Sequence, residues 1–142
     1  MTQFNFHIPN NTPPPTIFQL PLLPLLQKLK TIYLLWYGYY QTLPKSHRFT
    51  LGQRIDTLFI EIIEATSCAG FLKPTEKTPY LQLAIRKLDT LKILLMIMWE
   101  TKSLDNKKYI TLSLPLNEIG KMLGGWYGKT IKTSPSETLG KK

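Results

Sequence analysis

The side chains that could do catalytic or metal chemistry are few in this chain, and their spacing fits no known site. His7 and His47 are the only histidines, and Cys68 is the only cysteine. Di-metal sites in helical proteins need inward-facing carboxylates and paired Glu-x-x-His motifs, which are absent here. Glu61 and Glu64 fit one solvated helix face, and Cys68 has no histidine near it in the sequence to activate a thiolate. The sequence therefore predicts no catalytic residue, no metal site and no cofactor, and a protein that is not an enzyme.

Basic residues are the chemical group in clear excess. Eighteen Lys and Arg against nine Asp and Glu give a formal charge of +9. Such a charge attracts polyanions, because displacing counterions from a phosphate backbone favours binding. Residues 51–65 contain one basic residue, Arg54, and three acidic ones, Asp56, Glu61 and Glu64. The excess of positive charge therefore lies in the rest of the chain. The residues predicted to bind nucleic acid are Lys45, Arg48, Arg54, Arg86, Lys87, Lys92, Lys107, Lys108, Lys121 and Lys129.

Aromatic residues crowd the segment that precedes Lys45. They are Tyr33, Trp36, Tyr37, Tyr39 and Tyr40. One interpretation is that nucleic-acid bases stack on them. The preferred interpretation is that Trp36 and Tyr40 belong to the core, while Tyr37 and Tyr39 contact a neighbouring subunit or partner, since surplus aromatics are typical of interfaces.

Apolar residues recur in steps of three and four along four segments, and this spacing predicts four amphipathic helices. The first helix runs from Pro21 to a stop before Pro44. The second begins after Thr50, which has capping-box spacing with Gln53, and ends near Gly70.

The third predicted helix begins with Thr78 as N-cap and Pro79 in the first turn, and it ends near Lys102. The fourth covers 109–126. A proline in a helix interior costs roughly 3 kcal/mol, so we expect Pro115 to kink this helix or to split it in two.

These elements predict an all-α fold, an antiparallel up-down-up-down four-helix bundle over residues 21–132. The bundle follows a flexible proline-rich arm, residues 1–20, which contains Pro13-Pro14-Pro15. A disordered basic tail, residues 133–142, follows it.

The expected location is the cytoplasm. One cysteine rules out an internal disulfide framework and fits a reducing compartment. The apolar stretch Ile17–Leu26 has no basic leader and contains two prolines, and the run Ile93–Trp99 is too short to span a bilayer. The alternative is a peripheral membrane protein that uses Ile17–Leu26 and its basic face.

Two segments go beyond generic bundle patterning: LPKSHRFTLGQRI at 43–55 and EIGKMLGGW at 118–126. Together they resemble the accessory variability determinant proteins of diversity-generating retroelements. Those proteins belong with the four-helix-bundle proteins related to ones encoded in ribosomal RNA intervening sequences. The resemblance covers about Leu22 to Lys129.

The resemblance implies a non-catalytic, basic homopentameric ring. Such a ring would bind the retroelement template RNA and its reverse transcriptase, and so support mutagenic reverse transcription. Arg48, Arg54 and Lys121 would lie on the basic surface, with Trp126 packed in the protein. The alternative is a structural bundle of the intervening-sequence type with no retroelement role.

Overall fold

The computed structural model describes residues 22–133, and all the regular structure in that range is helical. The helices are α1 (Leu22–Gln41), α2 (Lys45–Arg48), α3 (Leu51–Gly70), α4 (Pro74–Glu100) and α5 (Asn106–Thr133). The predicted arm, residues 1–20, lies outside the described residues. So does the predicted tail, apart from Thr133, which is the last residue of α5.

The four long helices correspond to the four predicted segments and share one core. Helix α1 packs on α3 and α5, and α4 packs on α3 and α5. Most residues of the predicted apolar stripes are buried, and each large aliphatic one contributes about 1.5–3 kcal/mol by leaving water. The buried stripe residues are Leu25, Leu29, Ile32, Trp36, Leu43, Ile55, Leu58, Ile62, Ala65, Leu81, Ala84, Leu88, Leu91, Leu95, Met98, Leu112, Leu116, Ile119, Leu123 and Trp126.

The connection between α1 and α3 differs from the prediction in two ways. It contains the short helix α2, which the apolar pattern did not indicate. Helix α3 does begin at Leu51, but the side chain of Thr50 makes no capping bond. Its Oγ1 instead donates to the Ser46 carbonyl at 3.1 Å, so the predicted capping box with Gln53 is wrong.

Helix α4 begins earlier than predicted. Lys73 is its N-cap residue and Pro74 occupies the first turn, which places Thr78 and Pro79 inside the helix. Pro74 has the fixed φ that favours a helix start. Pro79 then removes one hydrogen bond, to the carbonyl of the exposed Thr75, which water can satisfy.

Helix α5 continues through Pro115, so of the two outcomes predicted for this residue the split is wrong, while the kink stays a prediction. A proline inside a helix costs about 3 kcal/mol, and the burial of apolar side chains before and after Pro115 offsets this cost. Leu112, Leu116 and Ile119 are fully buried. Unwinding the helix at Pro115 would expose them, at about 1.5–3 kcal/mol for each side chain.

Within residues 22–133, no helix combines the length and the apolar character needed to cross a bilayer.

Candidate nucleic-acid interface

Four of the ten predicted basic residues already have partners inside the protein. Arg48 Nη2 donates to the Leu43 carbonyl at 3.0 Å. Lys108 Nζ lies 5.2 Å from the centre of the Tyr39 ring. Glu61 accepts Lys87 Nζ at 2.9 Å and lies 3.8 Å from Arg54 Nη1. These contacts reduce the charge that Arg54 and Lys87 present to an outside partner.

The first sequence motif, residues 43–55, forms the junction of α1, α2 and α3. Leu43 is buried, and its carbonyl binds the half-buried Arg48. A Cβ on Gly52 would lie 2.8 Å from Leu43 Cδ1 and 3.0 Å from the His47 carbonyl oxygen. His47 Nδ1 hydrogen-bonds to the Ser103 hydroxyl, beyond the end of α4. Packing at this junction therefore accounts for much of the motif.

The aromatic cluster is largely part of the core. Trp36 is fully buried, stacks on Phe59 and Tyr40, and donates its indole N–H to Asp56 at 3.1 Å. The core interpretation of Trp36 is therefore confirmed, and its ring is not accessible to bases. Tyr37 is exposed and Tyr39 is half-buried beneath Lys108.

Tyr33, one turn before Tyr37 on α1, lies beside the Asp56 carboxylate. Burial first, then the hydrogen bond to Asp56 and the negative charge of Asp56, raise the pKa of Tyr33 to about 12. The phenol is therefore protonated at neutral pH.

Lys77 is a buried cation that the sequence analysis missed. Its Nζ donates to the Ala69 carbonyl at 2.7 Å and lies 5.6 Å from the centre of the Trp126 ring. Burial lowers the pKa of Lys77. Lys77 continues the buried stripe of Leu81 and Ala84 toward the N-terminus, and recognising the true start of α4 would have revealed this.

The other six predicted basic residues have no ion pair or hydrogen bond through their side-chain nitrogens within residues 22–133. They are Lys45, Arg86, Lys92, Lys107, Lys121 and Lys129. Lys45 lies in α2, Arg86 on the exposed side of α4, and Lys107 in the first turn of α5. None of these three residues lines the two cavities around Lys121.

Lys92, Lys121 and Lys129 do converge, because they line two cavities that share Lys121. The first, which we call the α4–α5 cavity, has a volume of about 390 Å³ and is lined by Ile85, Leu88, Asp89, Lys92, Asn117, Gly120 and Lys121. The second, the α1–α5 cavity, has a volume of about 260 Å³ and is lined by Pro24, Leu25, Lys121, Met122, Gly125, Trp126 and Lys129.

The α4–α5 cavity has the donors that a phosphate group needs. Lys92 Nζ lies 3.4 Å from the position that a Cβ on Gly120 would take, so the ammonium group lies close over the α5 backbone. Asn117 adds a side-chain amide, and Asp89 is the one acidic residue of the lining. Ammonium and amide groups donate well to phosphate oxygens.

A second surface feature is apolar. Ile93, Met96, Ile97, Ile110 and Leu114 are between 37% and 62% exposed. They lie on the outer sides of α4 and α5, two helices that pack on each other. We call these five residues the outer apolar surface, a grouping that is typical of a protein contact.

Metal-binding potential is low along the described part of the chain. Residues 22–133 hold no group of three or more His, Cys, Asp or Glu side chains placed to bind a metal ion. Cys68 is half-buried in α3.

A protein-family model described as bAvd-like matches residues 23–130, a range that includes both sequence motifs and nearly all of α1–α5. No curated protein and no solved structure shows significant similarity.

Proposed function

The chain belongs to the bAvd-like family, whose model matches most of its length, and from this premise we propose that it binds RNA and a reverse transcriptase. The identification with accessory variability determinant proteins is confirmed by that match. In this proposal the chain is the non-catalytic accessory subunit of a diversity-generating retroelement. It binds the template RNA and supports mutagenic copying by the enzyme.

The RNA-binding proposal rests on three lysines without ion pairs that lie around two cavities, with Lys121 shared by both. Lys92, Lys121 and Lys129 line adjoining cavities and have no ion pair within residues 22–133. The chain as a whole carries a formal charge of +9. Each phosphate that such lysines neutralise releases condensed counterions, which favours binding and makes it sensitive to salt.

Charge reversal tests this proposal. We expect Lys92→Glu, Lys121→Glu and Lys129→Glu together to lower RNA affinity more than about tenfold at moderate salt. The matched control reverses Lys30, Lys73 and Lys102, which have no side-chain ion pair within residues 22–133 and do not surround Lys121. RNA affinity is measured by fluorescence anisotropy. If both triple variants lost the same affinity, RNA binding would depend on net charge and not on these three lysines.

Association with a reverse transcriptase is tested by co-purification with any such polymerase encoded in the neighbourhood of the gene. If the protein had no salt-dependent RNA affinity, alone or with that enzyme, the proposal would fail. A gene neighbourhood without a reverse transcriptase and a template repeat would favour the structural bundle of the intervening-sequence type.

The proposal includes a ring of antiparallel up-down-up-down bundles, five subunits in number as the resemblance implies. The outer apolar surface is the part of the described chain best suited to a subunit contact, since burying it would remove five large side chains from water. We expect Ile110→Ser with Leu114→Ser to lower the mass measured by light scattering. If Tyr37→Ser lowered the mass and the double variant did not, the contact would lie on α1.

A further inference from the structure

The α1–α5 cavity combines an apolar floor with two basic ends. Leu25 and Trp126 form the floor and are nearly buried, with Met122 half-buried beside them. Lys121 and Lys129 lie eight residues apart on α5, which separates their Cα atoms by about 12 Å along the helix axis. The cavity therefore lies between two cationic groups.

Among residues 22–133, no acidic side chain lines this cavity, whereas Asp89 lines the neighbouring α4–α5 cavity. A ligand complementary to this cavity has a flat, apolar part with a negative charge on either side of it. Bases and their flanking phosphates in a single strand of RNA have this chemistry.

The volume limits how much of a nucleotide can enter. About 260 Å³ lies just below the usual range of ligand pockets, which begins at roughly 300 Å³. One base fits such a space, while the sugar and phosphates remain outside with the lysines. The indole of Trp126 gives the wall an aromatic ring for contact with the base.

We infer, on the basis of the RNA binding proposed above, that the α1–α5 cavity receives one unstacked base of single-stranded RNA while Lys121 and Lys129 bind the flanking phosphates. A base inside a duplex is stacked and paired, so it does not reach a side pocket of this kind. The protein therefore prefers single-stranded RNA to duplex RNA.

Gly125 provides a way to close the cavity without weakening the helix. It lines the cavity, and a Cβ at this position would meet nothing within 4 Å. Leucine has a higher helix propensity than glycine by roughly 0.8 kcal/mol, so Gly125→Leu should fold at least as well as the natural chain. Gly124→Leu is the matched control, because Gly124 also has open space around it but does not line the cavity.

The experiment measures the affinity of the full chain and both variants for fluorescein-labelled oligouridylate, and for the same strand paired with oligoadenylate. We expect the natural chain to bind the single strand about tenfold more tightly than the duplex. Gly125→Leu loses most of that preference and leaves duplex binding unchanged, while Gly124→Leu keeps it. Thermal unfolding of the three proteins checks that both variants are folded.

Three results would overturn the inference. The first is that the natural chain binds single strand and duplex with equal affinity. The second is that the two leucine variants behave alike. The third is that Gly125→Leu loses binding to phosphatidylserine vesicles while its RNA binding stays intact. The last would assign the cavity to a lipid surface. Salt-dependent RNA binding without a single-strand preference would leave the proposed function standing and remove only this site.

Discussion

Gly52 lies where the end of α1, the short helix α2 and the start of α3 meet. An added Cβ would crowd the Leu43 side chain, which can move, and the His47 carbonyl oxygen, which belongs to the backbone. We expect Gly52→Ala to lower the free energy of unfolding by about 1–3 kcal/mol, because overpacking outweighs the gain in helix propensity of about 1 kcal/mol.

Urea unfolding measures this effect, and Gly38→Ala in α1 is its control. A Cβ on Gly38 meets nothing within 4 Å, so only the propensity gain remains and this variant should be more stable than the natural chain. Equal stability of the two variants would contradict the packing account of the first motif.

Tyr33 gives a pH dependence whose sign follows from its surroundings. Its pKa rises from 10.0 to about 12 on folding, so the folded state holds the phenolic proton more tightly than the unfolded state does. The resulting stabilisation is fully present below pH 10 and is lost as the pH rises through about 12.

We expect Tyr33→Phe to flatten the fall in Tm over this pH range. Tyr80→Phe on α4 leaves Tyr33, Asp56, Tyr37 and Tyr40 in place and should keep the slope of the natural chain. An unchanged slope in Tyr33→Phe would show that other groups cause the alkaline loss of stability.

At the residue scale, the sequence predicted the excess of positive charge but not the distribution of its partners. Glu61 on α3 reaches Lys87 on α4, far away in the chain. Lys28 on α1 pairs with Glu118 on α5. Such pairs depend on which helix faces meet, and spacing within one helix does not show this.

At the scale of the elements, the end of α4 is closed by backbone geometry. The Ser103 amide bonds to the Met98 carbonyl and the Lys102 amide to the Trp99 carbonyl, the pattern of a Schellman motif. Lys102 is the residue in the left-handed region, with φ of 67°. Glycine normally takes this position because a Cβ is strained there.

We therefore expect Lys102→Gly to raise the free energy of unfolding by about 1 kcal/mol. Thr101→Gly is the comparison and should be destabilised, since Thr101 has φ of −86°, so glycine there adds freedom to the unfolded chain and also loses the hydroxyl bonds to the Ile97 and Met98 carbonyls. A destabilised Lys102→Gly, measured by urea unfolding, would contradict the assigned strain.

The sequence predicted the long helices well, because their apolar stripes are regular and the stripe residues are buried. The sequence-based prediction was wrong where a proline indicated a helix boundary but packing against the other helices favoured a continuous helix. Pro79 looks like a helix start, yet α4 begins at Pro74 and buries Lys77 on the core side. Pro115 looks like a break, yet the burial of Leu112 and Leu116 carries α5 through it.

At the scale of the whole molecule, the number of phosphates contacted should be smaller than the formal charge of +9 suggests. If Lys92, Lys121 and Lys129 make the contacts, the slope of log K against log salt for a short single strand is about −2, at roughly −0.7 for each phosphate. The slope is measured by titrating RNA at several salt concentrations. A slope of about −5 or steeper would show that basic residues outside the two cavities also contact phosphates.

The two cavities around Lys121 could not have been predicted from spacing, since the α1–α5 cavity requires Pro24 and Lys129 to lie together. The sequence did single out residues 118–126, which contribute most of its wall, through the resemblance of that segment to a family. The family match confirms the resemblance and leaves the ring and the bound RNA to be tested.

That closeness of Pro24 and Lys129 has a consequence for chain connectivity. The first and last described helices lie side by side where α1 begins and α5 ends, so a short linker could join them. The chain could then be opened just before the exposed residue Asp105, beyond the hydrogen bonds that close α4. Such a circular permutant would keep the same four long helices and the same core, while the α1–α5 cavity would lie beside a continuous stretch of backbone.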